Sequence, residues 1–549
     1  MKRSILKKTL YVLGALVIVL SLSIWIFLTF FFQDTLNSVL IPKIEQAAFN
    51  ATEGRYRLTL NRISYDDGAL LCKEFILFRV AYDTSEHETV LERITIDSVR
   101  FEGLSWWDVL WGNDLKLASL KMNAPKLYLN SVDSVMALKG YHYDTTKRYA
   151  TAYTDVPVIS FDSIVLFNGS VYLPKPSDKA IKPKYENIRV TLREFLLDTK
   201  STGPKPPLFS KHIDFEIPGG SYSVNDSMYT VTVQGIHGRV SDSLVMIDSI
   251  SYSPNYGKQA FADMHKYVQS SLSIKSAGMN IRGVNFTGLL NGDGLHIRAL
   301  EAASWSVDYY GDLRKPHNPR PPDAALPHTL LSSIKTRITI DSIILKKGMI
   351  RHEERVKGSI RPSLITFTNA DVTAHPFCSD STNPLFKKPM HFNVRALFMG
   401  KGKLVGEITY PVHQEAFDLH ISATVGSFAL PILNSYLVSN ERKEVTSGKL
   451  ISGEVRMDVK SGKGTTMVRP RYTDLNIKIL ADGVKESRGI LEGLKTFIAN
   501  AFILETENID SKDKKAASFT TSRTRGRKEE FFEYIWLAMR KTIQKVIGY

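Results

Sequence analysis

The chain has 549 residues, an apolar fraction of 43% and a formal net charge of +15. The apolar fraction is ordinary for a folded protein and excludes a wholly disordered chain. The two cysteines, Cys72 and Cys378, match no metal-ligand spacing, and both a disulfide in an oxidising compartment and two unpaired thiols are compatible with them. The basic balance fits nucleic acid, an anionic membrane surface or no specific partner.

The N-terminus predicts a membrane anchor. Residues 9–33 contain no charge and would form a helix of roughly 37 Å, enough to cross a bilayer core. The run is too long for the apolar part of a cleaved signal peptide. The positive-inside rule then places the basic tail 1–8 in the cytoplasm and the rest of the chain on the other side of the membrane, with residues 9–33 as the anchor. This topology excludes nucleic acid and favours membrane lipid as a partner.

A helical connector is predicted at 34–50, and strands follow from residue 51. One strand pattern recurs, with two alternating apolar pairs separated by a spacing of three instead of two. In Ile338, Ile340, Ile343 and Leu345 the break falls at Asp341–Ser342, where a β-bulge would keep both pairs on one face. Further copies lie around Asp97–Ser98, Asp162–Ser163 and Asp248–Ser249, and two degenerate copies start at Leu58 and Met279.

Four landmarks repeat in the same order at shifts of 179 to 187 residues, including Leu58–Tyr65 with Val245–Tyr252. They predict a tandem duplication, with half 1 at 51–200, a linker at 201–227 and half 2 at 228–375. Phe167–Asn168–Gly169 is typical of a hairpin turn. A different β region follows at 376–485.

The C-terminus predicts two amphipathic helices, at 486–504 and 529–549, separated by a charged, flexible segment at 505–528. The apolar stripe of the last helix includes Phe532, Ile535, Trp536 and Met539. This helix either docks on its own sheet or contacts a membrane or a partner. In the second case the contact candidates are Arg523, Arg525, Arg527, Lys528, Phe532, Ile535, Trp536 and Met539.

The sequence contains no catalytic constellation, so we predict a protein that is not an enzyme and uses no cofactor or metal. Gly462–Lys463–Gly464–Thr465 lacks the first glycine of a P-loop and indicates a hairpin turn instead. Arg351–Arg355, after an expected turn at Gly348, has no second histidine at zinc-helix spacing and indicates a polar strand face.

Three C-terminal elements resemble the AsmA-like family: Gly426–Leu437 with its Leu-Asn-x-Tyr, Val445–Leu450 with its Ser-Gly-x-Leu, and Arg471–Ile477 with its Tyr-x-Asp-Leu. The anchor and the region of Trp111, Lys121 and Pro125 are also similar. The resemblance implies a periplasmic protein anchored in the inner membrane, related to bridge-like lipid transfer proteins. It implies a long curved β-groove and a role in moving phospholipid towards the outer membrane.

The expected fold is therefore mainly β, with a transmembrane helix, an elongated, curved, repeat-built antiparallel β-sheet groove and amphipathic C-terminal helices. The expected function is to guide phospholipid acyl chains along the groove and so to support outer-membrane assembly. The alternatives are a filled sheet core and a scaffold for envelope or outer-membrane proteins that carries no lipid. The groove candidates are Ile63, Tyr65, Val99, Phe101, Ile164, Leu166, Ile250, Tyr252, Ile343 and Leu345.

Overall fold

The computed structural model describes most of the chain after residue 54. The described ranges are 54–80, 89–105, 114–131, 158–172, 183–198, 209–224, 228–290, 294–412, 417–480, 506–511 and 515–546, apart from 55, 67, 320–322, 325, 333, 335–336 and 360, with eight positions between 34 and 49. The predicted anchor and the predicted helix 486–504 lie outside the described residues. Among the described residues, no helix is long and apolar enough to span a membrane.

The protein is mainly β, as predicted. The described strands are β1 Tyr56–Asp66, β2 Ala69–Arg79, β3 Thr89–Glu102, β4 Leu115–Asn123, β5 Lys126–Ser131, β6 Ile159–Tyr172, β7 Pro183–Leu197, β8 Ser210–Val224, β9 Tyr229–Arg239, β10 Leu244–Pro254, β11 Ser271–Arg282, β12 Leu295–Asp312, β13 Ile338–Arg355, β14 Ser363–His375, β15 Phe377–Cys378, β16 Met390–Phe398, β17 Gly402–Tyr410, β18 Leu419–Val425, β19 Phe428–Ala429, β20 Lys443–Lys460, β21 Lys463–Ile479 and β22 Phe519–Thr524. The α-helices are α1 Lys258–Asp263, α2 Phe286–Leu290, α3 Pro327–Ser332, α4 Asn434–Asn440 and α5 Phe531–Val546.

The chain divides into two compact units. Unit 1 comprises residues 1–220 with 236–241, and unit 2 comprises 221–235 with 242–549. In unit 1, β1, β2 and β3 pair antiparallel in sequence order, and Asn37 and Glu45 accept hydrogen bonds from backbone N–H groups of β1. Those two side chains satisfy donors on an edge strand, where unpaired N–H groups would invite other chains.

Each unit contains a parallel strand pair, although the sheet was predicted to be antiparallel. In unit 1, β4 pairs parallel with β6, joining Leu115 to Ile159. In unit 2, β12 pairs parallel with β13, joining Leu295 to Ile338. The reason is connection length, because more than twenty residues lie between the paired strands and can cross over, unlike a tight hairpin.

These pairings give a different correspondence for one of the four repeated segments from which the duplication was predicted. The strand before the β3/β4 pair is β2, and the strand before the β11/β12 pair is β10. By topology, β10 of unit 2 therefore corresponds to β2, whereas the sequence comparison aligned it with β1.

The β-bulge predicted at Asp341–Ser342 is wrong. Ile340 pairs with Ile297 and Ser342 with Ala299, so neither strand carries an extra residue there. In three other copies the aspartate lies opposite a residue with positive φ on the neighbouring strand: Asp97 opposite Glu74 (φ 55°), Asp162 opposite Glu194 (φ 52°) and Asp248 opposite Gly278 (φ 61°). The irregular backbone conformation thus lies on the neighbouring strand, and the register of each pair continues across the aspartate.

The predicted effect of the spacing on the apolar side chains is nevertheless present. Ile96 and Val99 lie on either side of one such step and belong to the same buried cluster. Ile340 and Ile343 flank the step in β13 and likewise contact a common cluster. The spacing of three thus keeps both apolar pairs on one face without a register shift.

Two predicted turns are also wrong, because the chain passes through them as strand. Asn168 has φ 55° but lies inside β6, and Gly348 lies inside β13. In both strands the pairing to the next strand shifts register near these residues, so local backbone irregularity replaces the turn. The hairpin turn predicted at Gly462 is confirmed between β20 and β21.

The C-terminal helix is confirmed as α5, but the segment predicted to be flexible contains a strand. Residues Phe519–Thr524 form β22, which pairs antiparallel with β21. The flexible segment was predicted from its many charges. Its alternation of buried and exposed positions is instead that of a strand.

Candidate functional site

In unit 1 the predicted groove residues belong to a filled apolar cluster. Ile63, Val99 and Ile164 are buried, and Tyr65 and Phe101 pack against the same cluster. Leu166, on β6, is half-buried opposite Val190 of β7. This part of the sheet is therefore a packed core, and substitutions in it would mainly change stability.

In unit 2 the four predicted residues, Ile250, Tyr252, Ile343 and Leu345, are all half-buried. Ile343 lies in a row of directly paired side chains that crosses eleven strands. The row is Val245, Ile281, Leu300, Ile343, Ala374, Phe392, Ile408, Ile421, Met457, Thr466 and Thr521. No member of this row carries a charge.

Helix α5 covers the C-terminal part of this row. Tyr534 and Ala538 are buried in one cluster with Ala374 and Met457, and Ile343 and Ile421 pack against the same cluster. The buried side of α5 is thus centred on Tyr534, Ala538 and Thr542. The predicted stripe is displaced around the helix, because Thr542 and the phenol of Tyr534 find hydrogen-bond partners in β22.

The eight predicted contact residues fall into two groups. Ile535 and Met539 pack on the sheet, Trp536 meets the ring of Tyr436 edge-on at 5.2 Å, Arg523 pairs with Glu529 and Arg525 lies over Phe417. Arg527, Lys528 and Phe532 are exposed, and Phe532 is 81% accessible. The docked helix therefore leaves only three of the predicted contact residues open to another molecule.

A second row on unit 2 contains no member of the cluster around Tyr534, and we call it the apolar strip. Its two ends are packed, because Tyr252 stacks on Tyr229 at 4.5 Å and Phe398 packs against the cluster that includes Val546 of α5. Its members pair directly from β10 to β16: Tyr252, Ile274, Val307, Ile350, Phe367 and Phe398. None of the six is fully buried, and Ile274 is 42% exposed. Partial exposure of contiguous large apolar side chains is typical of a binding surface more than of a core.

The opposite face of the same strands is mostly polar, with Met349 of β13 and Leu397 of β16 as apolar exceptions. The residues next to the strip along β11, β12 and β14 include Lys275, Ser306, Asp308 and Thr366. Since successive side chains of a strand point to opposite faces, these residues face away from the strip. The sheet is therefore amphipathic at this position.

One row inward from the strip, Trp305 lies flat against Gly348 of the next strand. A Cβ placed on Gly348 would come within 2.0 Å of the indole ring, so only glycine fits beneath it. The indole Nε1 of Trp305 is buried without a hydrogen-bond partner among the described residues. Gly348 pairs with the buried Ala370, so neither position carries a bulky side chain beside the strip.

A polar rim begins two residues beyond the strip. The rings of Tyr309 and His352 stack with centroids 4.6 Å apart, and Tyr309 shares a hydrogen bond of 2.6 Å with Ser270. Glu354 lies 3.1 Å from His352 Nε2 and accepts a hydrogen bond of 2.7 Å from Asn440. Burial raises the pKa of Tyr309 to about 12, so its phenol stays neutral and can donate.

Sequence reasoning found Tyr252 but missed the other five residues of the strip. The signal was present in β12, where Trp305, Val307 and Tyr309 alternate with polar residues. It lay outside the repeated motif, and which strands pair in parallel could not be read from the sequence.

The described residues contain no cluster of three or more side chains suited to a metal ion. Cys72 and Cys378 are both buried, and neither forms a disulfide. Burial raises the pKa of Cys72 to about 11, which disfavours the reactive thiolate.

The elements that resemble AsmA-like proteins form one local arrangement. Asn434, the asparagine of Leu-Asn-x-Tyr, donates to the carbonyl oxygen of Val445 at 2.9 Å and accepts from its N–H at 2.8 Å. Gly448 has φ 124°, and a Cβ there would meet the backbone of Leu475 at 3.0 Å. These residues therefore have structural roles in fixing α4 and β21 against β20.

No protein-family model matches this chain, and no curated protein matches it either. The likeness to AsmA-like proteins thus stays a prediction from the sequence.

Proposed function

We propose that this protein is an AsmA-like, periplasmic lipid-binding protein anchored in the inner membrane, which guides phospholipid acyl chains along the apolar face of its sheet towards the outer membrane. The observation that supports the proposal is the apolar strip, a continuous row of half-exposed apolar side chains on an amphipathic sheet. A further protein partner in the periplasm or at the outer membrane is compatible with this role.

The strip has the dimensions that an acyl chain requires. Six strands about 4.8 Å apart extend over roughly 24 Å. One leaflet of the bilayer core is about 15 Å thick, so an extended acyl chain fits along the row. Each buried CH₂ would contribute about 0.8 kcal/mol, which accounts for binding without a specific polar ligand residue.

The test uses neighbouring residues on opposite faces of the same two strands. Val307→Asp with Ile350→Asp places two carboxylates on the strip, whereas Ser306→Asp with Met349→Asp places them on the polar face. The full-length protein is purified in mild detergent, and bound phospholipid is quantified by mass spectrometry.

We expect bound phospholipid to fall at least fivefold in the strip variant and to be unchanged in the polar-face variant, because only the first desolvates charge against acyl chains. Equal lipid content in both variants, or a folded wild-type protein without lipid above the detergent background, would refute the proposal. In that case, reproducible crosslinks to one envelope protein would favour the scaffold alternative.

A further inference from the structure

The apolar strip is closed at its β10 end by two stacked aromatic rings. Tyr229 of the neighbouring strand β9 lies against Tyr252, with ring centroids 4.5 Å apart and 7° between the ring planes. Neighbouring strands are about 4.8 Å apart, so the two rings face each other across the gap between the strands, and their flat sides look along the strip. Tyr229 is buried and its ring meets Phe261 of α1 edge-on at 5.5 Å, which fixes this end in place.

The other end is closed by a ring that fills the space above a glycine. The residue that continues the row beyond Phe398 is Gly402 of β17. A Cβ placed on Gly402 would come within 2.7 Å of the ring of Phe428, so this ring occupies the place of a side chain. Phe428 is buried, and its ring meets that of Phe398 edge to face at 5.8 Å. The row of the strip therefore ends at β17 instead of continuing along the sheet.

Between these two ends the strip has a defined length. The four strip residues from Ile274 to Phe367 are partly exposed, and they extend over three strand spacings, or about 14 Å. About 24 Å separates Tyr252 from Phe398, and the two end rings take up part of that distance. An acyl chain of ordinary length occupies about 15 Å in one leaflet of the bilayer core. The open part of the strip thus matches such a chain, and a much longer chain exceeds it.

We infer that the apolar strip is a compartment of fixed length, which selects acyl chains by their length through the rings of Tyr252 and Phe398. This inference rests on the proposed function and specifies its ligand. A chain that lies along the strip gains from each methylene in contact with apolar side chains until its end meets one of the two rings. The remaining methylenes of a longer chain stay outside the strip and lose this gain. Because both ends are closed, the chain enters and leaves across the exposed side of the strip.

The experiment measures the binding of lysophosphatidylcholines that differ only in their saturated chain: lauroyl, palmitoyl, stearoyl and lignoceroyl. Full-length protein in detergent micelles is titrated with each lipid, and its affinity is expressed relative to the partition of the same lipid into micelles without protein. This reference removes the general preference of longer chains for any apolar environment.

Two variants add the same ring to opposite faces of the sheet. Ile274→Trp places it next to Tyr252 and shortens the compartment by about one strand spacing. Val405→Trp is the control, since Val405 lies three residues from Gly402 on β17 and therefore faces away from the strip. Ile274 is 42% exposed and Val405 is 51% exposed, so both positions accept a larger side chain without displacing the core.

In the wild type we expect similar relative affinities from lauroyl to stearoyl and a loss of at least tenfold for lignoceroyl. Each excluded methylene weakens binding by about fourfold, which is the equivalent of about 0.8 kcal/mol. In Ile274→Trp, the stearoyl chain should bind at least fivefold more weakly than the lauroyl chain, while Val405→Trp should keep the wild-type profile.

Equal relative affinity of the wild type for stearoyl and lignoceroyl overturns this inference and leaves the proposed function intact. An unchanged profile in Ile274→Trp, or an equal change in Val405→Trp, does the same. If none of the four lipids binds, the proposed function fails and the inference fails with it.

Discussion

The docking of α5 gives the sharpest test of the structure, because two aromatic residues two positions apart have opposite environments. Tyr534 is completely buried, its ring meets Phe417 edge-on at 5.5 Å, and its hydroxyl donates to the carbonyl of Arg523 at 3.1 Å. Phe532 is 81% exposed. The perturbations are therefore Tyr534→Ala and, as the matched control, Phe532→Ala.

The expected magnitudes follow from burial. Truncating a buried aromatic side chain to alanine costs about 3–5 kcal/mol, and the lost hydrogen bond accounts for about 1 kcal/mol of such a loss. Truncating the exposed Phe532 should change stability by less than about 0.5 kcal/mol. The predicted amphipathic stripe ranks the two residues in the reverse order, since it includes Phe532 and omits Tyr534.

Hydrogen–deuterium exchange is the suitable assay, because a chain of two compact units need not unfold in one transition. In Tyr534→Ala, peptides covering α5 and β22 should lose protection, while peptides from unit 1 should exchange as in the wild type. In Phe532→Ala all peptides should retain protection. If Phe532→Ala exposes α5 as strongly as Tyr534→Ala does, the docked arrangement of the helix is refuted.

Two further predictions concern single side chains. Asn434→Ala should destabilise the contact between α4 and β20 by about 1–3 kcal/mol, because both backbone groups of Val445 lose their partner. Ser435→Ala on the same helix should cost less than about 1 kcal/mol, and hydrogen–deuterium exchange of peptides covering α4 would show the difference. The hydrogen bonds with Arg314 lower the pKa of the buried Asp312 from 3.8 to about 2. Since this carboxyl stabilises the fold above its unfolded pKa, Asp312→Asn should cost about 2 kcal/mol at pH 7, and thermal melts should show the gap closing as the pH falls from 4 to 2.

The sequence predicted the mainly β fold and the final helix because both depend on local periodicity. Spacings such as that of Ile343 with Leu345 report which side chains share a face, and burial follows from that. The sequence did not predict the parallel pairing of β12 with β13, because both parallel and antiparallel partners accept the same alternation. It also could not place Tyr534 in its buried cluster, since the strand residues of that cluster, such as Met457, lie more than seventy positions away in the sequence.

For the motif around Asp341, the predicted shared face of the apolar side chains is correct, and the predicted bulge in the backbone is wrong. A bulge in one strand would restore the face of that strand but shift its register against the next. In the structure the change occurs at the same level in adjacent strands, often opposite a residue with positive φ such as Glu194 or Gly278. The register survives, so rows of paired apolar side chains continue from strand to strand.

The length of these continuous rows decides how much of the apolar face α5 can cover. A row that crosses eleven strands is longer than α5 can cover, since a helix of 16 residues extends only about 24 Å. The helix buries the end of the row near Met457, and its Val546 belongs to the cluster against which Phe398 packs. The strip residues from Ile274 to Phe367 stay partly exposed. A single helix on so wide an amphipathic sheet thus accounts for both a buried core and an apolar surface that stays partly exposed.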